Sequence, residues 1–272
     1  RMSYPRIAAK VARECWSLEP STFRAILDSL HSHKPGQQIE AIHADDQSET
    51  ISDYEAQGIA VIPVHGIIGH RLNQMEMLCG GCSIDHVGQL VDMAADDENI
   101  HSIILDIDSP GGTITGLPEL SAKIAAVEKP IVAFTDSSCA SAALWIAHSA
   151  DALFATESSH VGSVGAYIML LDSRRWYDEQ GQIPTPIVRG EFKLAGADFK
   201  ELTTAEREMF QASVDKTVSK FKAVVLARHD IEEQYLEGQV FDGDDAEELG
   251  FVDAIFPDLD QVASYLNESR SV

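Results

Sequence analysis

From Gly58 onward the chain alternates short, continuous apolar runs with segments whose apolar residues recur at helical spacing. IAVIPVHG, SIILDID, PIVAFTD and ALFAT lack in-out alternation, which marks strands covered on both faces. Between them SIDHVGQLVDMAA, LPELSAKIAAVE and ASAALWIAHSA read as helices. Strands alternating with helices imply βαβ units, right-handed crossovers and a mostly parallel sheet, so the expected class is α/β. Further strands are predicted near VGAYIMLL and TPIVR. A long helix follows, opened by the capping box Thr203-x-x-Glu206 and carrying an apolar stripe at Phe210, Val214, Val218, Phe221 and Val225.

Before Gly58 the pattern is different. Phe23, Ile26, Leu27 and Leu30 follow Pro20-Ser21 at i, i+3, i+4, i+7 spacing and predict a helix to about His31. His33 to Ser52 is polar and has almost nothing to bury. The expected organisation is therefore a helical arm and linker over 1–52, a core over 53–257, and a helical C-terminal tail over 258–272.

Composition narrows the function. Of 272 residues, 44% are hydrophobic, enough for a substantial core, and the formal net charge is −24. A field of that sign repels nucleic-acid phosphates and anionic lipid surfaces, so neither is an expected partner. No apolar stretch reaches membrane-spanning length and the opening residues lack a signal-peptide core, which predicts a cytoplasmic protein with no membrane insertion. Four cysteines are too few for a disulfide framework, and Cys79-Gly80-Gly81-Cys82 has no second pair, so no metal is expected.

Two strand-to-helix junctions carry candidate chemistry. Asp108-Ser109-Pro110-Gly111-Gly112 places two glycines where a strand turns with its N–H groups exposed, the outline of an oxyanion cradle or of a plain tight turn. About thirty residues on, Ser141 opens the apolar helix ASAALWIA with the N–H of Ala142 beside it. By spacing alone Ser141 is either an N-cap or a nucleophile. Ser137 and Ser138 suit a turn. No histidine among His65, His70, His86, His148 and His160 stands in an evident Ser/His/Asp order, and His148, two helical turns on, reads as a surface residue. A neutral lysine is the other possible base. Lys193, among Phe192, Leu194 and Ala195, is then either that base or an exposed loop lysine.

The order VIPVHGII, ILDIDSPGG, ASAALWIA, VGSVGAY, RGEFK and GQVFDGDDAEELGFVDAI resembles the signal peptide peptidase A (protease IV) family, and within it the bacteriophage prohead proteases. The resemblance runs from about Gly58 to Phe256. It implies a crotonase-like (caseinolytic-protease-like) spiral of β-β-α units and a serine endopeptidase with a Ser-Lys dyad and no cofactor. It assigns Ser141 as nucleophile and Lys193 as general base, 52 residues apart. Gly111, Gly112 and Ala142 fall at the oxyanion positions, and Ser163, in Gly162-Ser163-Val164-Gly165, at a residue that orients the lysine.

It further implies a protein or peptide substrate, assembly into a ring or dome whose active sites use neighbouring subunits, and scaffold or capsid maturation inside a prohead. Ala142-Ala143 replaces the family's Gly-Gly, and Arg189 replaces the usual Ser, which leaves Lys200 as an alternative base. Competing readings are a protease IV-type enzyme acting on signal peptides, an acyl-CoA enzyme of the same fold group, and a catalytically silent assembly protein.

Overall fold

The structure is a computed structural model and describes residues 15–18, 54–72 and 80–270. The helix expected over 20–31 and the linker after it lie outside the described residues.

Strands β2 (Ile59–His65), β5 (Ser102–Asp108), β7 (Ile131–Thr135), β9 (Ala152–Ala155) and β12 (Ala254–Ile255) form a five-stranded parallel sheet in the order β12-β9-β7-β5-β2. The apolar runs predicted as strands fall on the first four. Successive residues serve opposite faces. Ile103, Leu105 and Ile107 point into a core with α1 (Ile84–Asp96), α2 (Leu117–Ala125) and α3 (Ala142–Ala147), while Ile104 joins Tyr54, Ile59, Val61, Phe134 and Phe154 on the other face. Helix α7 (Leu259–Ser269) covers that second face through Val262, Ala263 and Leu266.

Each of the first four sheet strands is followed by a three-residue strand that leaves the main sheet: β3 (Ile67–Gly69), β6 (Gly111–Thr113), β8 (Ser138–Ala140) and β10 (His160–Gly162). A helix closes most of these units, so the expected spiral of β-β-α units is present. The short strands gather into two small sheets, β1-β6-β3-β4 and β11-β10-β8, completed by β1 (Trp16–Leu18), β4 (Gly81–Ser83) and β11 (Val240–Asp242). Their junctions with α2 and α3 place the SPGG loop and Ser141 side by side.

Helix α5 (Thr204–Val225) begins where its capping box predicts, with Glu206 N–H donating to Thr203 Oγ1 at 3.3 Å and Thr203 N–H to Glu206 Oε2 at 3.1 Å. Of its stripe only Phe221 and Val225 are buried; Phe221 stacks on Trp145 with ring centroids 5.1 Å apart. Phe210, Val214 and Val218 stay half-exposed.

The strands expected near VGAYIMLL and TPIVR are not there. In the first stretch Tyr167 makes one isolated antiparallel bridge, to Trp16, and the second is irregular and exposed, with Ile187 fully accessible. Apolar, β-branched residues suit a strand, yet among the described residues strand pairing goes no further than the one bridge of Tyr167 to β1. Among the described helices, none is long and apolar enough to cross a membrane.

Candidate active site

Ser141 lies between β8 and α3 with φ 62° and ψ −118°, left-handed backbone that an L-residue adopts only under constraint. Its N–H donates to Gly162 C=O at 2.8 Å and its C=O accepts from Trp145 N–H at 3.1 Å, which fixes the turn. The hydroxyl makes no capping bond to the helix. Instead it meets Ser17 Oγ, so Ser141 holds the N-cap position without its side chain capping the helix. The first turn of α3 leaves the N–H groups of Ala142, Ala143 and Leu144 without acceptors inside the helix.

The SPGG glycines are required by close approach. A Cβ on Gly112 would stand 1.9 Å from Ile68 O, and one on Gly111, where φ is 100°, would stand 2.3 Å from Ser17 O and 2.9 Å from Ser141 Cβ. Ser109 ties the loop down by donating from Oγ to Gly66 C=O at 2.6 Å and accepting Gly111 N–H at 3.1 Å. Main chain of β6 thus runs against the Ser141 side chain.

Ser163 also has positive φ, 59°, and its N–H donates to Gln239 C=O at 2.6 Å. It shares with Ser141 an open cleft of about 600 Å³ that is also lined by Leu18, Tyr167, Val214, Asp215 and Lys222. Lys222 was not singled out from sequence, although it lies one turn beyond Val218 on the same helix face. Glu237 holds its amine at 2.7 Å and Glu233 at 3.6 Å.

Lys193 sits in an exposed turn, its N–H bonded to Gly190 C=O at 3.2 Å, with Phe192 beside it 43% exposed. Within one chain the structure does not join Lys193 to Ser141: no hydrogen bond links them among the described residues. Lys200, the alternative base, gives its amine to both carboxylate oxygens of Glu206 at 2.6 Å.

His148 is a correction. It is buried rather than on the surface, its Nε2 bonded to Phe251 C=O at 2.9 Å, because α3 runs through the middle of the core. Burial, helped by the neighbouring His229 and Arg228, pushes its pKa down to about 3, so it is neutral at physiological pH. His65 pairs with Asp106 at 2.9 Å, which raises its pKa, and neither histidine bonds to Ser141. Of the CxxC, Cys79 lies outside the described residues. Cys82 packs in the core, where burial pushes its thiol up to about 12.

Ser141 is thus a strained serine at a strand-to-helix turn, pressed by a glycine-lined strand and set in the wall of a cleft. The sequence profile of Peptidase family S49 matches residues 123–272, and the chain belongs to that family. It is 28% identical over 76% of its length to the head-tail preconnector protein GP5 of Enterobacteria phage P21. It is 26% identical over 95% of its length to capsid assembly protease C of Escherichia phage lambda. It spans 42% of the first relative and 64% of the second. A signal peptide peptidase SppA homologue of Enterococcus faecium, described as putative, is 25% identical over 64% of this chain and 53% of its own length. Among solved structures, an enoyl-CoA hydratase/isomerase family member aligns over 79% of this chain and 73% of its own, with a TM-score of 0.43 and 18% identity.

Proposed function

We propose that the chain is a serine endopeptidase that cleaves extended protein segments. Ser141 Oγ attacks the scissile carbonyl, a neutral lysine amine takes its proton, and N–H groups near Gly112 and Ala142 hold the oxyanion. The lysine returns the proton to the leaving amine and then activates water against the acyl-enzyme. No cofactor enters the scheme. The single observation that carries the reading is the constrained left-handed backbone of Ser141, since such strain persists where surroundings over-determine it and clusters at reactive residues.

Lys193 is the proposed base, acting on Ser141 of a neighbouring copy. Unlike Lys200 and Lys222 it has no carboxylate partner among the described residues, and contact with a second chain would strip water from its amine, which favours the neutral form. Exposed large apolar side chains are frequent in the stretch of chain that leads to it, including Met169, Leu171, Trp176, Ile183 and Ile187. That surface suits the ring or dome the family resemblance implies. The phage relatives, one named a capsid assembly protease, support a role on scaffold or capsid protein within a prohead assembled in the host cytoplasm.

Incubation of the purified chain with an unfolded protein should give discrete fragments, and Ser141→Ala should give none while melting as the wild type does. Equal cleavage by a clean Ser141→Ala preparation overturns the assignment.

A further inference from the structure

Residues Trp16–Leu18 lie beside the cleft as a strand, more than ninety residues in sequence from the strand they pair with. β1 runs antiparallel to β6 with Trp16, Ser17 and Leu18 opposite Thr113, Gly112 and Gly111. Its other edge is bonded too: Trp16 N–H donates to Tyr167 C=O at 2.9 Å and Tyr167 N–H to Trp16 C=O at 2.8 Å. All three residues are buried, at 6%, 1% and 2% exposure. An extended peptide brought to Ser141 must satisfy its own main chain in the same way, by adding as a strand. On this side of Ser141 the edges available are β6 and Tyr167, and β1 holds both.

The hydroxyl contact adds chemistry to the steric block. Ser17 Oγ donates its one proton to Gly165 C=O at 2.8 Å, so in its contact with Ser141 it can only accept. The Ser141 proton is therefore directed at an alcohol oxygen, which is too weak a base to remove it. With Ser17 in place the nucleophile is covered and its proton is held by an alcohol oxygen.

We propose that Trp16–Leu18 is an internal inhibitory strand that occupies the substrate's position, and that a protein substrate reaches Ser141 by displacing it. This regulation rests on the reading of Ser141 as nucleophile. It makes β1 and substrate mutually exclusive, so anything that loosens β1 speeds acylation.

The test uses the full chain. Trp16→Ala, which removes the large anchor of the strand, and Ser17→Ala, which removes only the hydroxyl, are compared with wild type for the rate at which a fluorophosphonate labels Ser141 and for cleavage of β-casein. Both variants should label several-fold faster than wild type while remaining folded. Wild-type or slower labelling in both, with wild type itself reactive, overturns the proposal and makes β1 a fixed wall of the site. Should no form label or cleave, it is the nucleophile assignment that fails, and amide exchange still decides the strand. With excess β-casein added to the Ser141→Ala chain, the Trp16 amide should lose protection, while substrate in its place keeps the Tyr167 amide bonded. Unchanged protection overturns displacement.

Discussion

The φ of 62° at Ser141 stores strain of about 1–3 kcal/mol in a side chain-bearing residue, and glycine would relieve it. Part of that gain returns as the extra freedom glycine has in the unfolded chain, about 0.4–1 kcal/mol. Ser141→Gly should therefore be inactive yet more stable by about 1 kcal/mol, read as a rise in urea midpoint. A loss of stability would mean the hydroxyl supports the fold.

His148 makes the opposite bargain with pH. Its folded pKa, about 3, lies below the ordinary value near 6.5, so as pH falls through that interval the unfolded chain takes up a proton that the native one refuses. Native stability from this group is complete above about pH 6.5 and declines progressively towards pH 3. His148→Gln should start lower at pH 7, having lost a well-placed ring, but should lose less stability than wild type between pH 7 and pH 4.5. Parallel losses in the two proteins would show that another group senses the acid.

The strand-to-helix position of Ser141 was legible because an apolar helix opens there straight after a strand. His148 was misread because its helix is buried all round, so helical spacing could not separate an outer face from an inner one. Ser17 left no signal at all: its role comes from a contact 124 residues away in sequence.

At the level of elements, strands and helices of the main sheet could be read from the chain because burial on both faces writes uninterrupted apolar runs. The three-residue strands could not. They are too short to show any period, and several are specified by what their neighbours forbid rather than by their own propensity. β6 is the clearest case, since a Cβ on Gly112 would stand 1.9 Å from Ile68 O. Gly112→Ala should push β6 away from β3, cost about 1–3 kcal/mol as an overpacked site, and abolish hydrolysis by shifting main chain beside Ser141. A thermal melt with a casein assay checks both, and a stable, fully active variant would show that β6 can move freely. TPIVR failed for the complementary reason: its composition favours a strand, but among the described residues it has no edge to join.

For the molecule as a whole, the irregular stretch that carries Lys193 also carries much of the exposed apolar surface, on a chain whose net charge of −24 opposes self-association at low salt. In the proposed assembly apolar contact would have to outweigh like-charge repulsion, so salt, which screens exposed charges beyond about 10 Å at 0.1 M, should promote it. If Lys193 serves Ser141 of a neighbour, serine and lysine defects lie on different sides of each shared site. Ser141→Ala chains and Lys193→Met chains, each inactive alone, should then restore one another when mixed, because a site formed between an intact serine and an intact lysine arises in mixed assemblies. Random mixing of equal amounts in a closed ring makes roughly a quarter of the sites complete. Hydrolysis near that fraction of the wild-type rate, growing with salt as assembly does, is the expected outcome. A mixture as silent as its parts, in assemblies shown to exchange subunits, would place both members of the dyad in one chain and require the Lys193 turn to fold back across the cleft.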